Sequence, residues 1–320
     1  MASIENVRES LNGFRLTFEC VKTPIPFVNG LRRILLAEIP TVVIRDVVIR
    51  DSTSQMIHEM LKHRVEMLPV AVKASEGDVI RDTRLVVRFL ASPESREVTT
   101  DDFTVNGPRN SVLLRDRDLG TPLYFLTLKP NEELHIECGL GLAMTGASQV
   151  CVSTFRNHID ERRAQIDRDS FILKRSTEDV RIFDNHLIQR SYVRDPETER
   201  PTHFDFTVES IGVQSARELV RTAAEVLKKK VLEFVKLPVS KDETGTYSVE
   251  TETEGHTLGA LAQAILYEAP ALIDFVSYHI DHPLTAKLIL QFRTKASPEA
   301  VLDRFRSEAV ALCETVLQSV

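Results

Sequence analysis

The sequence has little of three features, each of which would mark a particular class of protein. It has no excess of positive charge, because 40 residues are Lys or Arg, 47 are Asp or Glu, and the formal net charge is −7. Since duplex binding draws most of its affinity from cations that neutralise phosphates, this balance argues against nucleic-acid binding by the chain alone. The sequence also has no apolar run near the roughly 18 residues that a membrane-spanning helix needs. We therefore expect neither direct DNA binding nor a membrane span.

Cysteine is the third scarce feature. The four cysteines are Cys20, Cys138, Cys151 and Cys313, and their positions show no paired spacing. This usage is typical of reduced thiols in a cytosolic or nuclear protein, and it does not predict a structural zinc site made of cysteines. The first six residues lack a charged and then apolar export signal, so we expect a protein that is not secreted.

The hydrophobic pattern that is present predicts strands and helices in alternation. Apolar residues alternate with polar ones over 13–20, as on a half-buried strand. Apolar residues recur at helical spacing from Phe27 to Leu35, and Pro40 ends that helix. From about 70 to 159 the pattern changes to short strands separated by turn clusters, which indicates an inserted β-rich module.

A repeat relates two of the predicted helices. An ungapped alignment that places Leu31 over Leu261 also pairs Leu35 with Ile265, Leu36 with Leu266, Glu38 with Glu268 and Pro40 with Pro270. Each helix lies between predicted strands. The sequence therefore predicts an α+β fold with two copies of a sheet-and-helix half unit. Their apolar faces would pack about a pseudo-twofold axis, as in a symmetric homodimer, but on one chain.

Motifs for catalysis are incomplete in this sequence. The stretch 141–148 has the glycine spacing of a phosphate loop, but Ala147 occupies the lysine position. Residues 146–150 begin like a nucleophile elbow, but Val150 occupies the position of the final glycine of that motif. His58 and His63 are five residues apart, so their rings do not share one helix face. We expect no catalytic residue, no metal site and no cofactor.

Polar residues beside the apolar stripes are the better candidates for function. Arg32 and Arg33 follow Leu31 directly, and Glu59, His63 and Arg64 lie towards the end of the next predicted helix. One interpretation is an ordinary solvated surface. The other is a partner surface, since arginine suits bidentate recognition of carboxylates or carbonyl oxygens on another subunit.

Several stretches together resemble one known family. Residues 27–41, 52–54 and 59–69 resemble the signature of the alpha-type subunits of multisubunit DNA-directed RNA polymerases. This signature is shared by bacterial alpha, archaeal D and the eukaryotic third-largest subunits. The stretch 204–212 and the long helix after it resemble the returning half of the same dimerisation domain. The C-terminal part resembles the small archaeal L subunit and its eukaryotic counterpart over residues 255–261, 270, 278–284 and 293–294.

The resemblance implies a fusion of a D-like and an L-like subunit, as in polymerases of some large DNA viruses. The implied domains are a D-like dimerisation domain (1–69 and 203–237), an inserted β-rich domain (70–160), a charged connection of unassigned structure (161–202), a linker (238–245) and an L-like dimerisation domain (246–320). The implied location is the cytoplasm, in a viral factory or virion, for a viral source, and the nucleus otherwise.

The function implied is that of a non-catalytic assembly platform. Its partners would be the two large catalytic polymerase subunits and small polymerase subunits, and it would not be an obligate homodimer. The residues implied to face the large subunits are Arg32, Arg33, Glu59, His63 and Arg64. Those implied in the core of the pseudo-dimer are Leu31, Leu35, Leu36, Leu258, Leu261, Ile265 and Leu266.

The sequence also departs from the pattern of the family that it resembles. Some members of that family carry a four-cysteine zinc site or an iron–sulfur domain in the insert, whereas residues 70–160 contain only Cys138 and Cys151. We therefore expect neither group here. Two alternatives stay open: a stand-alone α+β enzyme with a site around Gly139 to Ser148 in the inserted domain, and an alpha-like homodimer.

Overall fold

The structure of the chain is a computed structural model that describes residues 2–144, 150–173, 177–282 and 284–320. The strands are β1 (Ser3–Ser10), β2 (Arg15–Val21), β3 (Thr41–Ser52), β4 (Arg84–Phe89), β5 (Arg96–Thr99), β6 (Thr104–Asn106), β7 (Tyr124–Leu128), β8 (Leu134–Ala143), β9 (Cys151–Asn157), β10 (His203–Ser210), β11 (Val239–Lys241), β12 (Tyr247–Thr251), β13 (Phe275–His282) and β14 (Thr285–Arg293). The helices are α1 (Ile25–Ala37), α2 (His58–Glu66), α3 (Gly77–Asp82), α4 (Glu161–Ile172), α5 (Thr177–Asn185), α6 (Ala216–Phe234), α7 (His256–Tyr267) and α8 (Pro298–Ser319). This mixture of helices and antiparallel strands confirms the predicted α+β class.

The chain folds into two compact units. The first consists of Met1–Leu35, Ser153–Val208 and Val220–Val320, and the second consists of Leu36–Val152 and Glu209–Leu219. None of the helices among the described residues is both long enough and apolar enough to cross a bilayer.

Two four-stranded sheets of the same design form the first unit. Their strand orders are β1-β2-β10-β9 and β11-β12-β14-β13. In each sheet an antiparallel pair precedes a helix, and the third strand leads into a long helix, α6 or α8. Alternation in β10 buries Phe204, Phe206 and Val208, and Phe206 stacks on Phe18 of β2 with ring centroids 4.9 Å apart. The other side of this sheet is polar.

The repeat in the sequence corresponds to equivalent helices. Aligning Leu31 with Leu261 makes α1 and α7 end at equivalent positions, Ala37 and Tyr267. The long helices occupy equivalent places too, since α6 follows β10 and α8 follows β14. For α8 the N-terminus forms as its residues predict, because Ser297 Oγ accepts from the backbone N–H of Ala300 at 3.2 Å and Pro298 begins the helix.

The strand after α1 behaves differently from the strand after α7. In the second half unit β13 stays in the sheet, but β3 pairs with β8 in a sheet of order β3-β8-β4-β6, and β9 takes the fourth place beside β10. Val42 and Ile44 of β3 pack in the core of the second unit with Leu61 and Val65 of α2. The second unit therefore begins at Leu36, whereas the sequence places the start of the insert at residue 70.

The charged segment 161–202, left unassigned from sequence, contains α4 and α5. Asp160 caps α4 by accepting from the backbone N–H groups of Arg162 and Arg163, both at 3.1 Å. Arg168 of α4 forms an ion pair with Asp184 of α5 at 2.7 Å. Phe183 of α5 is buried and lies against Phe171 of α4 with ring centroids 5.5 Å apart, so an aromatic contact also joins the two helices.

The segment 238–245 is a hairpin, which differs from the linker expected there. Strand β11 pairs with β12, and the turn between them is organised by Asp242. Its Oδ1 accepts from the backbone N–H groups of Thr244 at 2.9 Å and Thr246 at 2.8 Å. Gly245 has a φ of 81°, which glycine adopts without a steric cost. Asp242 and Gly245, which suggest a linker in the sequence, form a tight turn instead, and Pro238 directly precedes β11.

Candidate functional site

The two half units meet through the helices α1 and α7 of the first unit. Arg33 Nε of α1 donates to Thr257 Oγ1 of α7 at 2.8 Å. The helices approach closely at this point, since a Cβ added to Gly30 would lie 3.3 Å from Thr257 Cγ2. The apolar residues expected in this core include six that are buried: Leu31, Leu35, Leu258, Leu261, Ile265 and Leu266. Leu36 is only partly buried.

The long helices α6 and α8 make the second contact between the half units. Phe234 and Phe305, both buried, meet edge to face with ring centroids 6.1 Å apart. At the edge of this contact Lys228 Nζ lies 3.0 Å from Glu314 Oε1. A buried apolar centre with a polar rim is the usual organisation of a protein–protein interface, here formed within one polypeptide.

The arginines of α1 have different environments. Arg32 is half-buried, and its Nε donates to Asn29 Oδ1 within the helix at 3.2 Å. The exposed Arg33 bonds Thr257, so part of its hydrogen-bonding capacity stabilises the contact between α1 and α7. A depression of about 270 Å³ beside this contact is lined by Ile25, Pro26, Asn29, Gly30, Arg33, His256, Thr257, Ala260 and Tyr278. The sequence alone does not indicate that His256 and Tyr278 line this depression.

The other predicted partner residues lie on α2, in the second unit. Glu59, His63 and Arg64 are exposed, while Leu61 and Val65 on the other side of the helix are buried. His63 and Arg64 occupy the last turn, where cations suit the helix dipole. The Arg64 guanidinium donates to the backbone carbonyl of Phe125, which joins the helix to β7.

A groove of about 860 Å³ extends past the end of α2. It is lined by His63, Glu66, Met67, Pro69, Leu114, Arg115, Asp116, Arg117, Asp118, Leu123, Val152, Glu209, Ser210 and Ile211. Arg117 is held in its wall because Nη1 donates to the Ser210 carbonyl at 2.8 Å and Nη2 lies 2.9 Å from Glu209. Hydrogen bonds to Asp118 and Glu209 raise the pKa of Arg117. The sequence gives no signal for this residue.

Of the two glycines that give the stretch 141–148 the spacing of a phosphate loop, Gly141 lies in strand β8 and Gly146 lies outside the described residues. Gly139 and Gly141 belong to β8, where an added Cβ would lie 3.1 Å from Arg84 Nη1 or 3.0 Å from Arg45 Cγ. A side chain at either position would therefore press on a neighbouring arginine side chain, which would have to shift by a few tenths of an ångström. The candidate enzyme site continues into residues 145–149, which lie outside the described residues. Burial raises the pKa of the Cys138 and Cys151 thiols to about 12.

Comparison with known families finds the same domain twice. Residues 17–231 match the RNA polymerase Rpb3/Rpb11 dimerisation domain, and residues 246–319 match a second family with the same description. The chain belongs to the RNA polymerase Rpb3/Rpb11 dimerisation domain family. Its two matched regions contain the pairing helices α1 and α7, respectively.

Curated relatives of the chain include alpha-type polymerase subunits. The chain is 24% identical to DNA-directed RNA polymerases I and III subunit rpac1 of Dictyostelium discoideum, over 70% of this chain and 78% of the relative. It is 28% identical to a conjugation stage-specific protein of Tetrahymena thermophila, over 48% of this chain and 60% of the relative. It is 38% identical to DNA-directed RNA polymerase subunit Rpo3 of Methanocaldococcus jannaschii, over 26% of this chain and 44% of the relative. The last two matches span less than two thirds of each relative.

Proposed function

We propose that this chain is a non-catalytic assembly-platform subunit of a DNA-directed RNA polymerase, in which a D-like and an L-like partner are fused. The observation that carries the proposal is the presence of two matched dimerisation regions on one chain, with their helices α1 and α7 joined by the bond from Arg33 to Thr257. A paired platform of this kind needs no second subunit to complete its buried core. Docking of the two large catalytic subunits would follow on its exposed polar residues.

The docking residues proposed are Arg32, Arg33, Glu59, His63 and Arg64. Arg32 and Glu59 are the most informative of them, because neither side chain is needed for the hydrophobic core. Arg33 and Arg64 also make contacts within the chain, so their replacement would alter folding and docking together. Small polymerase subunits are further proposed partners.

The proposal is tested by purification of the tagged full chain after co-expression with the two largest polymerase subunits of the same source. We expect both large subunits to co-purify, and the yield to fall in Arg32→Ala and Glu59→Ala. Arg306→Ala is a matched control, because it removes a surface arginine from α8. Recovery of the folded chain without either large subunit would contradict the assembly function.

The state of the isolated chain tests the fusion separately. A chain that carries both partners should sediment as a monomer of 36.2 kDa, whereas an alpha-like homodimer would have twice that mass. We also propose that the source is a large DNA virus and that the chain acts in a viral factory or virion. This proposal rests on the order of the two matched regions. A cellular source would place the chain in the nucleus.

A further inference from the structure

Four potential metal ligands converge on the polar side of the β1-β2-β10-β9 sheet. They are Glu19 of β2, His203 and Asp205 of β10, and His158, which directly follows β9. These strands are neighbours, and residues two apart on β10 project to the same face. One ligand atom from each of the four side chains lies within 4.8 Å of all the others.

The contacts within this cluster are short and specific. His158 Nδ1 lies 2.6 Å from Asp205 Oδ1, and His203 Nε2 lies 2.9 Å from Glu19 Oε2. The two imidazole rings stack with centroids 3.8 Å apart and an angle of 10° between their planes. The four side chains are between 16% and 33% exposed, so the cluster is accessible to an ion and shielded from bulk water.

Neighbouring groups fix the orientation of both carboxylates. Asn6 Nδ2 donates to Glu19 Oε1 at 2.8 Å, and Arg156 Nε donates to Asp205 Oδ2 at 3.0 Å. Each carboxylate is thus held through one oxygen and presents the other to a histidine. Outer hydrogen bonds of this type orient metal ligands in known sites.

The backbone around His158 is fixed as well. Its N–H donates to the His203 carbonyl at 2.9 Å, and its carbonyl accepts from the N–H of Val193 at 2.9 Å. The cluster borders a depression of about 700 Å³. An ion can therefore reach side chains whose backbone positions are already set.

We propose that Glu19, His158, His203 and Asp205 form a binding site for a divalent transition-metal ion of the zinc class. Two imidazole nitrogens and two carboxylate oxygens are a ligand set that zinc accepts in tetrahedral geometry. Bonds of about 2.0–2.2 Å place neighbouring ligand atoms roughly 3.4 Å apart. The observed hydrogen-bonded pairs would open by less than about 1 Å on binding. The two stacked imidazoles would also turn out of their parallel arrangement, because a ring nitrogen binds a metal through a lone pair in the plane of its ring. This inference does not depend on the polymerase proposal.

The ion would have a structural effect on the fold. It would join β2, β10 and the end of β9, the strand by which the chain returns from the second unit to this sheet. Its two positive charges would balance the carboxylates of Glu19 and Asp205. Arg156 is 64% exposed, so solvent screens its charge at the edge of the site.

Titration of the metal-free full chain with Zn²⁺ in a calorimeter tests the site. We expect one ion per chain, a rise in the thermal midpoint on Zn²⁺ addition, and visible absorption typical of tetrahedral coordination with Co²⁺. Loss of one ligand in His203→Ala or Asp205→Asn should weaken Zn²⁺ binding at least about tenfold. Asp205→Asn keeps the side-chain shape, so it tests binding without a change in packing.

His279→Ala is the matched control. His279 Nε2 lies 3.2 Å from Asp281 Oδ1 on β13, an exposed pair that resembles one half of the cluster. This variant should bind Zn²⁺ as the unaltered chain does. Absence of a stoichiometric site in the unaltered chain would overturn the proposal, and so would equal affinity in folded Asp205→Asn. Either result would mean that the four side chains form only two separate hydrogen-bonded pairs.

Discussion

The helices α1 and α7 share their apolar positions but differ in the polar ones. In the alignment of Leu31 with Leu261, the buried Leu35 corresponds to the buried Ile265. Arg32 and Arg33, however, correspond to Ala262 and Gln263. Ala262 is buried, and Gln263 Oε1 accepts from the backbone N–H of Tyr278 at 3.2 Å. The two half units thus use the same core for pairing, but of these two helices only α1 carries arginines.

The two sheets show a second difference of the same kind. Each has the same strand order, but the polar side of the first carries Glu19, His158, His203 and Asp205. The strand after α1 has also moved into the second unit, and β9 fills its place. The two half units therefore share the strand order and the buried apolar positions. They differ in the polar side chains on the surface and in the place of the strand after the first helix.

The largest expected effect comes from a charge placed in the shared core. Leu35→Asp and Ile265→Asp should each lower the free energy of unfolding by about 3–5 kcal/mol, because an unpaired carboxylate would replace a buried apolar side chain. Urea denaturation of both variants measures the effect. Leu284→Asp, at a residue that is 89% exposed, is the control and should be close to neutral. Tolerance of either core variant would show that the helices are not equivalent.

A smaller effect distinguishes the glycines of the two helices. A Cβ at Gly259 would lie 2.5 Å from Tyr278 Cδ2 and 2.8 Å from Leu288 Cδ1, so Gly259→Ala should destabilise the fold by about 1–3 kcal/mol. Gly30→Ala meets only Thr257 Cγ2 at 3.3 Å and gains helix propensity, so we expect less than about 1 kcal/mol. Chemical denaturation compares the two. A larger cost at Gly30 would mean that α1 and α7 are packed more tightly against each other than α7 is against its sheet.

Buried thiols give a pH-dependent comparison of the half units. Burial raises the pKa of Cys20 in β2 and of Cys313 in α8 to about 12 from the ordinary value of 9.0. The unfolded chain therefore loses these protons first, and stability falls as pH rises from 9 towards 12. At about pH 10 each thiol should account for roughly 1 kcal/mol of that loss.

Denaturation of Cys20→Ala and Cys313→Ala at about pH 8 and pH 10 measures this contribution. Each variant should lose less stability between the two pH values than the unaltered chain does. Lysines and tyrosines titrate in the variant and in the unaltered chain alike, so their contribution cancels when the two losses are subtracted. An unchanged pH dependence would mean that the thiol ionises as readily in the native state as in the unfolded one.

Apolar periodicity predicted the elements of the half units well. The helical spacing from Phe27 to Leu35 and the alternation over 13–20 correspond to α1 and β2. The place of β3 could not be predicted, since a β-branched strand fits either sheet and long-range pairing with β8 decides. The cluster of Glu19, His158, His203 and Asp205 was also hidden, because its members come from β2, from β10 and from the residue after β9, which are far apart in the chain.

The smallest expected effect on stability belongs to Arg32→Ala. The side chain is half-buried and bonds only Asn29 of its own helix among the contacts described, so the free energy of unfolding should change by less than about 0.5 kcal/mol. Capture of the large polymerase subunits should nevertheless weaken, since the guanidinium offers a planar set of donors to carboxylates or carbonyl oxygens. Binding assays and denaturation of the same preparation separate the two quantities. Because α7 has Ala262 at the equivalent position, loss of capture with an intact fold would assign docking to the first half unit, whereas unchanged capture would remove Arg32 from the docking surface.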